Sequence, residues 1–289
     1  MNFICTGNKF KTEFFEIFDS IYHHFSSLGH NVYLDEFASN NTYDNNIIND
    51  ISNIANDCSF VVSLGGDGSI LSAVSRMNDN QLPILGVHIG ELGFLNQATK
   101  DDYIKIISDI VSKDSIAYQE HYLLNASIYK CKSKISTFRS LNDFAINQIS
   151  YSRLLQIDVK VDNKLLNRYN CDGVIICSSL GSTAYSLSAG GPIVAQDVDC
   201  LVVTPVSPHS LSARPIVVNP NSVIEISFPK LNNKIGIYAD GQTYKELESD
   251  NIITIKKSEV SCNLIKTQYS KDYFTILRKK LNWFEEHRS

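Results

Sequence analysis

The spacing of hydrophobic residues changes in character along the chain. In the first part, short apolar runs at 3–6, 31–34, 60–64 and 83–88 alternate with stretches of helical spacing at 12–27, 69–77 and 101–112. A further helix is predicted around 47–54. Alternating strands and helices of this kind predict βαβ units, and hence a parallel sheet with helices on its faces.

From about residue 117 the texture becomes that of a β-rich domain. Short apolar or alternating runs predict strands at 124–129, 155–161, 174–177, 201–205, 223–228, 235–239, 252–257 and 262–266. Asp162-Asn163 and Asp240-Gly241 have the composition of turns. Helical spacing returns at 273–287. We therefore expect an α/β N-terminal domain with a Rossmann-like parallel sheet (1–116), a β-rich domain (117–270), and a C-terminal helix (271–289) that returns to the first domain.

Composition narrows the class of protein. The chain has 289 residues and a formal net charge of -5, which argues against nucleic acid or an anionic membrane as a partner. Its seven cysteines are scattered and include no C-x-x-C pair, so neither a disulfide framework nor a zinc site is expected. The sequence shows no signal-peptide pattern at its start and no apolar run long enough to span a bilayer. We expect a cytoplasmic protein.

The first candidate site is the glycine-rich loop Gly65-Gly66-Asp67-Gly68, which lies between a predicted buried strand and a predicted helix. Glycines let main-chain amides approach an anion closely, and a helix N-terminus adds favourable partial charge. A carboxylate in such a loop repels phosphate unless a metal or a hydroxyl lies between them. The combination therefore favours phosphoryl chemistry over a simple tight turn. The spacing matches neither a Walker A loop nor G-x-G-x-x-G.

A second glycine-bearing stretch, 85–95, follows the next predicted strand. Because parallel strands end at the same edge of a sheet, the two loops predict a crevice of the kind in which ligands bind open α/β sheets. His88 in this stretch could act as a base, but packing is the favoured interpretation, since the sequence offers it no partner.

The third candidate is the segment 172–193, which is dense in small hydroxyl residues and contains Tyr185. Hydroxyls and unpaired main-chain groups can recognise a purine edge, and the tyrosine ring can stack on it. A serine-rich loop that caps a helix fits the composition equally well. Ser182 or Ser186 as a nucleophile is disfavoured, because the segment has no G-x-S-x-G elbow.

Taken together, the segments 65–71, 85–95, 172–192 and 208–215 resemble, in order, those of the NAD kinase family. The GGDG loop alone is shared with diacylglycerol and sphingosine kinases and, in looser form, with 6-phosphofructokinases, whereas Gly181 to Pro192 is more specific. The resemblance implies transfer of the γ-phosphate of ATP to the 2'-hydroxyl of the adenosine ribose of NAD, giving NADP. It also implies Mg²⁺ or another divalent cation bound with ATP rather than by fixed protein ligands.

The resemblance also implies residue roles. Asp67 corresponds to the catalytic proton acceptor or hydroxyl-orienting group. Gly65, Gly66, Gly68 and Ser69 correspond to the phosphate loop. The implied NAD contacts, most of them in an NAD-binding domain at 117–270, are Asp67, Gly68, Asn142, Asp143, Arg153, Asp172, Thr183, Ala184, Tyr185, Ser186, Leu187, Ser188 and Gln242. Family members place the site between two domains and form homodimers or homotetramers.

The chain departs from the family pattern at several positions. Asp143 stands in place of the usual Glu, Ser69 in place of the commoner Thr, and Asn170 where a basic residue is common. Cys177-Ser178-Ser179-Leu180 replaces Ser-Thr-Pro-Thr. Three alternatives stay open: a lipid kinase, a sugar-phosphate kinase, and a non-catalytic NAD(P) sensor.

Overall fold

The computed structural model describes residues 1–39, 47–52, 58–90, 93–113, 115–149, 154–230 and 234–283. The chain forms two compact units. The first unit comprises Met1–His121 and Cys262–Ser289, and the second comprises Tyr122–Ser261.

The secondary structure elements follow one another in an order that changes from mixed to mainly β. The helices are α1 (Phe14–Ser27), α2 (Asp67–Met77), α3 (Tyr103–Val111), α4 (Tyr185–Ser188) and α5 (Tyr273–Lys280). The strands are β1 (Asn2–Gly7), β2 (Asn31–Asp35), β3 (Ile47–Ile48), β4 (Phe60–Gly65), β5 (Ile84–His88), β6 (Ala98–Thr99), β7 (Tyr118–Lys130), β8 (Ser133–Ser140), β9 (Asp143–Gln148), β10 (Leu155–Val161), β11 (Lys164–Cys171), β12 (Gly173–Ser178), β13 (Leu201–Val206), β14 (Ile216–Val218), β15 (Ile224–Lys230), β16 (Ile235–Ala239), β17 (Thr243–Leu247) and β18 (Asn251–Ile265).

The first unit is built on a parallel sheet in the order β5-β4-β1-β2-β3. The apolar positions of α1 are buried at intervals of three and four residues (Phe14, Ile17, Phe18, Ile21 and Phe25), so this helix presents one continuous stripe to the core. In the core, the rings of Phe3 and Phe60 stack with centroids 4.8 Å apart. The predicted Rossmann-like α/β domain is confirmed.

The second unit is β-rich, as predicted. One antiparallel sheet has the order β14-β13-β12-β9-β16-β17, and β11, β10, β15 and β18 form a second antiparallel array. Alternate residues from both sets of strands enter a single hydrophobic cluster, among them Phe144, Ile176, Val203, Ile226 and Ile255. The period-two pattern thus places one face of each strand in a shared core.

Two predicted turns are confirmed, and both use the left-handed region. Asp162 and Asn163 have φ values of 49° and 65°, and Asp240 and Gly241 have 51° and 67°. Asn, Asp and Gly tolerate this conformation better than other residues. The second turn becomes important below, because it positions the Asp240 carboxylate.

Several element predictions need correction. The predicted helix around 47–54 is wrong at its start, where Ile47 and Ile48 form a strand beside Leu34 and Asp35, since tertiary pairing overrides the local pattern. The last two residues of that helix, 53 and 54, lie outside the described residues. The two runs at 252–257 and 262–266 form the single strand β18. The last helix ends at Lys280, and residues 284–289 of its predicted span are not described.

A helix needs about 20 consecutive, predominantly apolar residues to span a bilayer. Within the described ranges, no helix is long and apolar enough to cross a membrane.

Candidate functional site

The glycine-rich loop joins β4 to α2 in the first unit. Gly65 has a φ of 148°, and a Cβ at this position would lie 2.2 Å from Ser69 Oγ, so both backbone conformation and packing require glycine here. At Gly66 and Gly68 a Cβ would meet no atom within 4 Å. Glycine inside a helix is less favourable than alanine by about 1 kcal/mol, yet Gly68 lies in the first turn of α2 without a steric reason. These two positions therefore leave room for a ligand to approach the main chain.

The Asp67 side chain is held by the segment that follows β5. Its Oδ2 accepts a hydrogen bond from the Phe94 amide (2.7 Å), and its Oδ1 accepts bonds from the Leu95 amide (3.0 Å) and from Asn96 Nδ2 (2.8 Å). Hydrogen bonds to a carboxylate are stronger than those between neutral groups and fix its orientation. Asp67 is half-buried, so the carboxylate is restrained and still reachable from solvent.

Gly93 lies against this carboxylate. A Cβ at residue 93 would be 1.9 Å from Asp67 Oδ1 and 2.4 Å from Cγ. No real Cβ approaches another heavy atom so closely, so the side chain of Asp67 occupies the space that any other residue at 93 would fill. The last glycine of the stretch 85–95 thus has a specific function in the first unit.

The two loops meet because their strands are neighbours. β4 and β5 pair in parallel with Gly65 opposite His88, and the Ile89 amide donates to the Gly65 carbonyl over 3.2 Å. The predicted meeting of the two loops at one sheet edge is therefore present. His88 is half-buried, and burial lowers its pKa, which favours a neutral ring. Its assignment to packing stays a prediction.

In the second unit, Asp240 fixes the main chain that carries Asn142 and Asp143. Three successive amides donate to its carboxylate: Leu141 to Oδ2 (2.8 Å), Asn142 to Oδ1 (2.8 Å) and Asp143 to Oδ1 (3.1 Å). The Asp240 amide in turn donates to the Asp143 carbonyl over 3.0 Å. Sequence reasoning assigned Asp240 only to a turn. The turn signal locates the residue, but nothing in the sequence indicates which amides its carboxylate contacts.

Asp143 and Asp240 form a buried pair of titratable groups. Burial raises the pKa of Asp143 to about 7, and the charge of Asp240 acts in the same direction. Burial also raises the pKa of Asp240 to about 6, although its three amide bonds oppose this. The three amide donors favour the charged form of Asp240, and the charge of Asp240 in turn favours the protonated form of Asp143 by raising its pKa. Of the two carboxyl groups, Asp143 is therefore the one that protonates more readily.

The hydroxyl-rich segment runs from β12 through a short 3-10 helix, Leu180–Thr183, into α4. Tyr185 is 41% exposed, and Ser188 is exposed beside it. Ser186 differs from its neighbours, because it is fully buried and its Oγ lies 2.9 Å from Thr204 Oγ1. The structure thus directs Ser186 into the interior of the second unit and leaves the tyrosine ring accessible.

This segment packs directly on the main chain of Leu141 and Asn142, which immediately precedes β9. Ser178 Oγ donates to the Leu141 carbonyl (2.8 Å) and accepts from the Gly181 amide (3.2 Å). A Cβ at Gly181 would lie 2.1 Å from the Asn142 carbonyl oxygen. Leu180, which stands where the family pattern has a threonine, is buried. The start of the hydroxyl-rich segment, at Ser178 and Gly181, thus lies against Leu141 and Asn142 within the second unit. The contacts predicted for 183–188 stay a prediction.

The other predicted contacts are less closely joined. Asp172 accepts a hydrogen bond from Gln148 Nε2 over 2.8 Å, and Thr183, Ala184 and Leu187 are partly buried. Gln242 is exposed after the Asp240-Gly241 turn. Arg153 lies outside the described residues.

Two family models match this chain, one after the other along the sequence. Residues 18–115 match the model of the ATP-NAD kinase N-terminal domain, and residues 141–267 match that of the ATP-NAD kinase C-terminal domain. The NAD kinase of Geotalea daltonii is 38% identical over 80% of this chain and 81% of its own length. That of Syntrophotalea carbinolica is 34% identical over 89% of this chain and 90% of its own length.

Two solved structures have the same fold. The crystal structure of yeast NADH kinase complexed with NADH has a TM-score of 0.87 at 26% identity and covers 100% of this chain and 89% of its own. The crystal structure of an NAD kinase from Archaeoglobus fulgidus in complex with ATP has a TM-score of 0.77 at 26% identity. The match covers 98% of this chain and 99% of the Archaeoglobus chain. With both family models matched in order and the relatives aligned over most of the chain, this protein belongs to the NAD kinase family.

Proposed function

We propose that this protein is an ATP-dependent NAD kinase, which transfers the γ-phosphate of ATP to the 2'-hydroxyl of the adenosine ribose of NAD and releases NADP. The observation that carries the proposal is the restrained Asp67 carboxylate beside a glycine loop with open space at Gly66 and Gly68. Family membership supplies the identity of the two substrates.

Asp67 would orient the acceptor hydroxyl. An aspartate is a weak base toward a sugar alcohol, but phosphoryl transfer through a loose transition state requires little early proton removal. Alignment of the 2'-oxygen with the γ-phosphorus therefore contributes more than basicity. As the bond to phosphorus forms, the hydroxyl proton passes to the carboxylate and ADP leaves.

The glycine loop and the N-terminus of α2 would bind the phosphates through main-chain amides, with Ser69 beside them. The family resemblance implies that Mg²⁺ enters as the ATP complex, with phosphate oxygens and water as its main ligands.

The second unit would supply the dinucleotide contacts. We assign them to Asn142, Asp143, Asp172, Gln242 and the segment 183–188, with Ser186 acting through packing. The exposed ring of Tyr185 supports stacking on adenine. Gly68 in the first unit and Arg153 complete the proposed set.

The resemblance further supports a cytoplasmic homodimer or homotetramer. No disulfide links the cysteines of the described residues, which suits a reducing compartment. Light scattering of the purified protein would measure the number of chains.

The decisive experiment mixes purified protein with Mg²⁺, ATP and NAD and measures NADP, with diacylglycerol and fructose 6-phosphate as parallel acceptors. We expect NADP to form and the other two acceptors to stay unphosphorylated. Binding of NAD without NADP formation would instead indicate a sensor, and phosphorylation of the lipid or the sugar phosphate would indicate another GGDG kinase.

The variant Asp67→Asn tests the assigned role of the carboxylate. We expect NAD affinity to stay nearly unchanged while kcat falls by about 10²-fold or more, the usual scale for loss of a positioned acid-base group. Equal turnover of the variant and the unmodified protein would remove Asp67 from the chemistry.

A further inference from the structure

Asn96 lies one residue beyond the second glycine stretch and is 97% removed from solvent, with an exposed fraction of 3%. Its Nδ2 donates to Asp67 Oδ1 over 2.8 Å. An ionised carboxylate is only an acceptor, so the NH₂ end of the Asn96 amide must face it. The contact joins residues 29 positions apart.

The two oxygens of Asp67 are not equivalent. Oδ1 accepts two hydrogen bonds, from the Leu95 amide and from Asn96, whereas among the described residues Oδ2 accepts one, from the Phe94 amide. Each carboxylate oxygen has about two lone-pair positions. Oδ1 is therefore saturated, and Oδ2 keeps one position for a further donor.

The position of Asn96 is itself fixed by the sheet. The next residue, Gln97, donates its amide to the Gly86 carbonyl over 2.9 Å. A Cβ at Gly86 would lie 2.9 Å from Asn96 Oδ1 and 3.0 Å from its Cα. Strand β5 thus provides a close-packed surface for Asn96, and the amide cannot move away from Asp67 without a new cavity or clash.

We propose that Asn96 is a positioning residue that, by occupying Oδ1, makes Oδ2 of Asp67 the oxygen that receives the acceptor hydroxyl. The inference rests on the proposed function and adds which oxygen acts and what selects it. Without the amide, the carboxylate can rotate and share both oxygens with water and with the Leu95 amide. The hydroxyl then meets the acid in several orientations, of which only some align with the γ-phosphorus.

The variant Asn96→Leu removes the donor at similar volume. We expect kcat to fall about 10- to 100-fold, the range that follows loss of one hydrogen bond to a charged group. The KM values for NAD and ATP should stay within about threefold, because a contact that acts through Asp67 serves the transition state more than ground-state binding. The matched control is Asn31→Leu, since the exposed Asn31 amide also donates one hydrogen bond, to Asn2, and we expect its kcat to be unchanged.

A double-mutant comparison separates positioning from a general effect on the fold. In the Asp67→Asn background, adding Asn96→Leu should lower kcat no further, because the group that Asn96 orients is already lost. An equal loss in both backgrounds, unchanged kcat in Asn96→Leu, or a loss confined to KM would each overturn the proposal.

The second variant, Asn96→Asp, keeps the shape and replaces the donor by a second carboxylate. Two adjacent carboxylates share a proton near neutral pH, so kcat of this variant should rise with pH over a range in which that of the unmodified enzyme is flat. Identical pH profiles would contradict the proposal. NADP formation by the unmodified protein tests the proposed function, and only the differences between variants test the role of Asn96.

Discussion

Gly93→Ala is the substitution for which the structure makes the sharpest prediction. The new methyl group would lie 1.9 Å from Asp67 Oδ1, 2.4 Å from Cγ and 2.7 Å from Oδ2. Gly93 is not among the described glycines with positive φ, so the backbone itself accepts alanine. Since non-bonded carbon contacts are normally about 3.5 Å or more, the carboxylate must move by at least about 1 Å.

The magnitude follows from what this movement breaks. The carboxylate would leave the Phe94 and Leu95 amides and Asn96 Nδ2, at 2.7, 3.0 and 2.8 Å. Asp67 is half-buried, so water replaces part of these bonds, and we expect the free energy of unfolding to fall by only about 1 to 2 kcal/mol. A displacement of about 1 Å in a positioned group reduces turnover by about 10²-fold.

The assay is the initial rate of NADP formation at varied NAD and ATP, together with thermal unfolding. We expect kcat of Gly93→Ala to approach that of Asp67→Asn, the KM for NAD to change little, and Tm to fall by a few degrees. A kcat within about threefold of the unmodified enzyme would refute the reasoning, because the acid would then work from a different position. If Tm fell by much more than this, the loss of kcat would be due to a damaged fold rather than to the displaced carboxylate.

Two further predictions concern the second unit. Tyr185→Ala should weaken NAD binding by about 1 to 3 kcal/mol if its ring stacks on adenine, and unchanged affinity in calorimetry would place the ring outside the site. For Asp143, burial and the charge of Asp240 raise the pKa from 3.8 to about 7 in the folded protein, so the folded state binds more protons than the unfolded state between these values. Stability from this group is therefore present below about pH 4 and is lost as pH rises to about 7. In the Asp143→Asn variant, the free energy of unfolding should fall less steeply between pH 4 and 8, by at most about 4 kcal/mol over the range. Denaturant titrations measure this free energy, and an unaltered slope against pH would show that Asp143 does not hold the proton.

Most of the fold could be predicted from periodicity, because long stretches bury one consistent face. The helical stripe of α1 and the alternating strand Leu155–Val161 are both found where the pattern places them. The strand Ile47–Ile48 could not be predicted, since its two isoleucines fit a helix equally well and only pairing with β2 decides. Strand Lys164–Cys171 could not be predicted, because it is largely exposed and its apolar residues do not alternate regularly along the chain.

The sequence predicted which segments form the candidate site, but not which atoms of these segments contact one another. The sequence indicates that the loops at 65–68 and 85–95 share an edge, yet it does not indicate that the amides of Phe94 and Leu95 bind Asp67. The Asp240 carboxylate binds the Leu141 amide across 99 positions, and no local pattern reports such a contact. Ser186 belongs to a hydroxyl-rich run, and only the packing against Thr204 and Gly191 shows that it faces inward.

The acid in the glycine loop poses an electrostatic problem, since a negative charge next to amides that attract phosphate should weaken phosphate binding. Under the proposed function, the two roles fall to different groups of atoms. Asp67 begins α2 in the first loop, but its charge is stabilised by amide donors of the second, at Phe94 to Asn96. The open positions at Gly66 and Gly68 can then serve an anion while the acid serves a hydroxyl. This division requires two neighbouring parallel strands that end together, and it explains why Gly93, 26 positions from the acid in sequence, has to be a glycine.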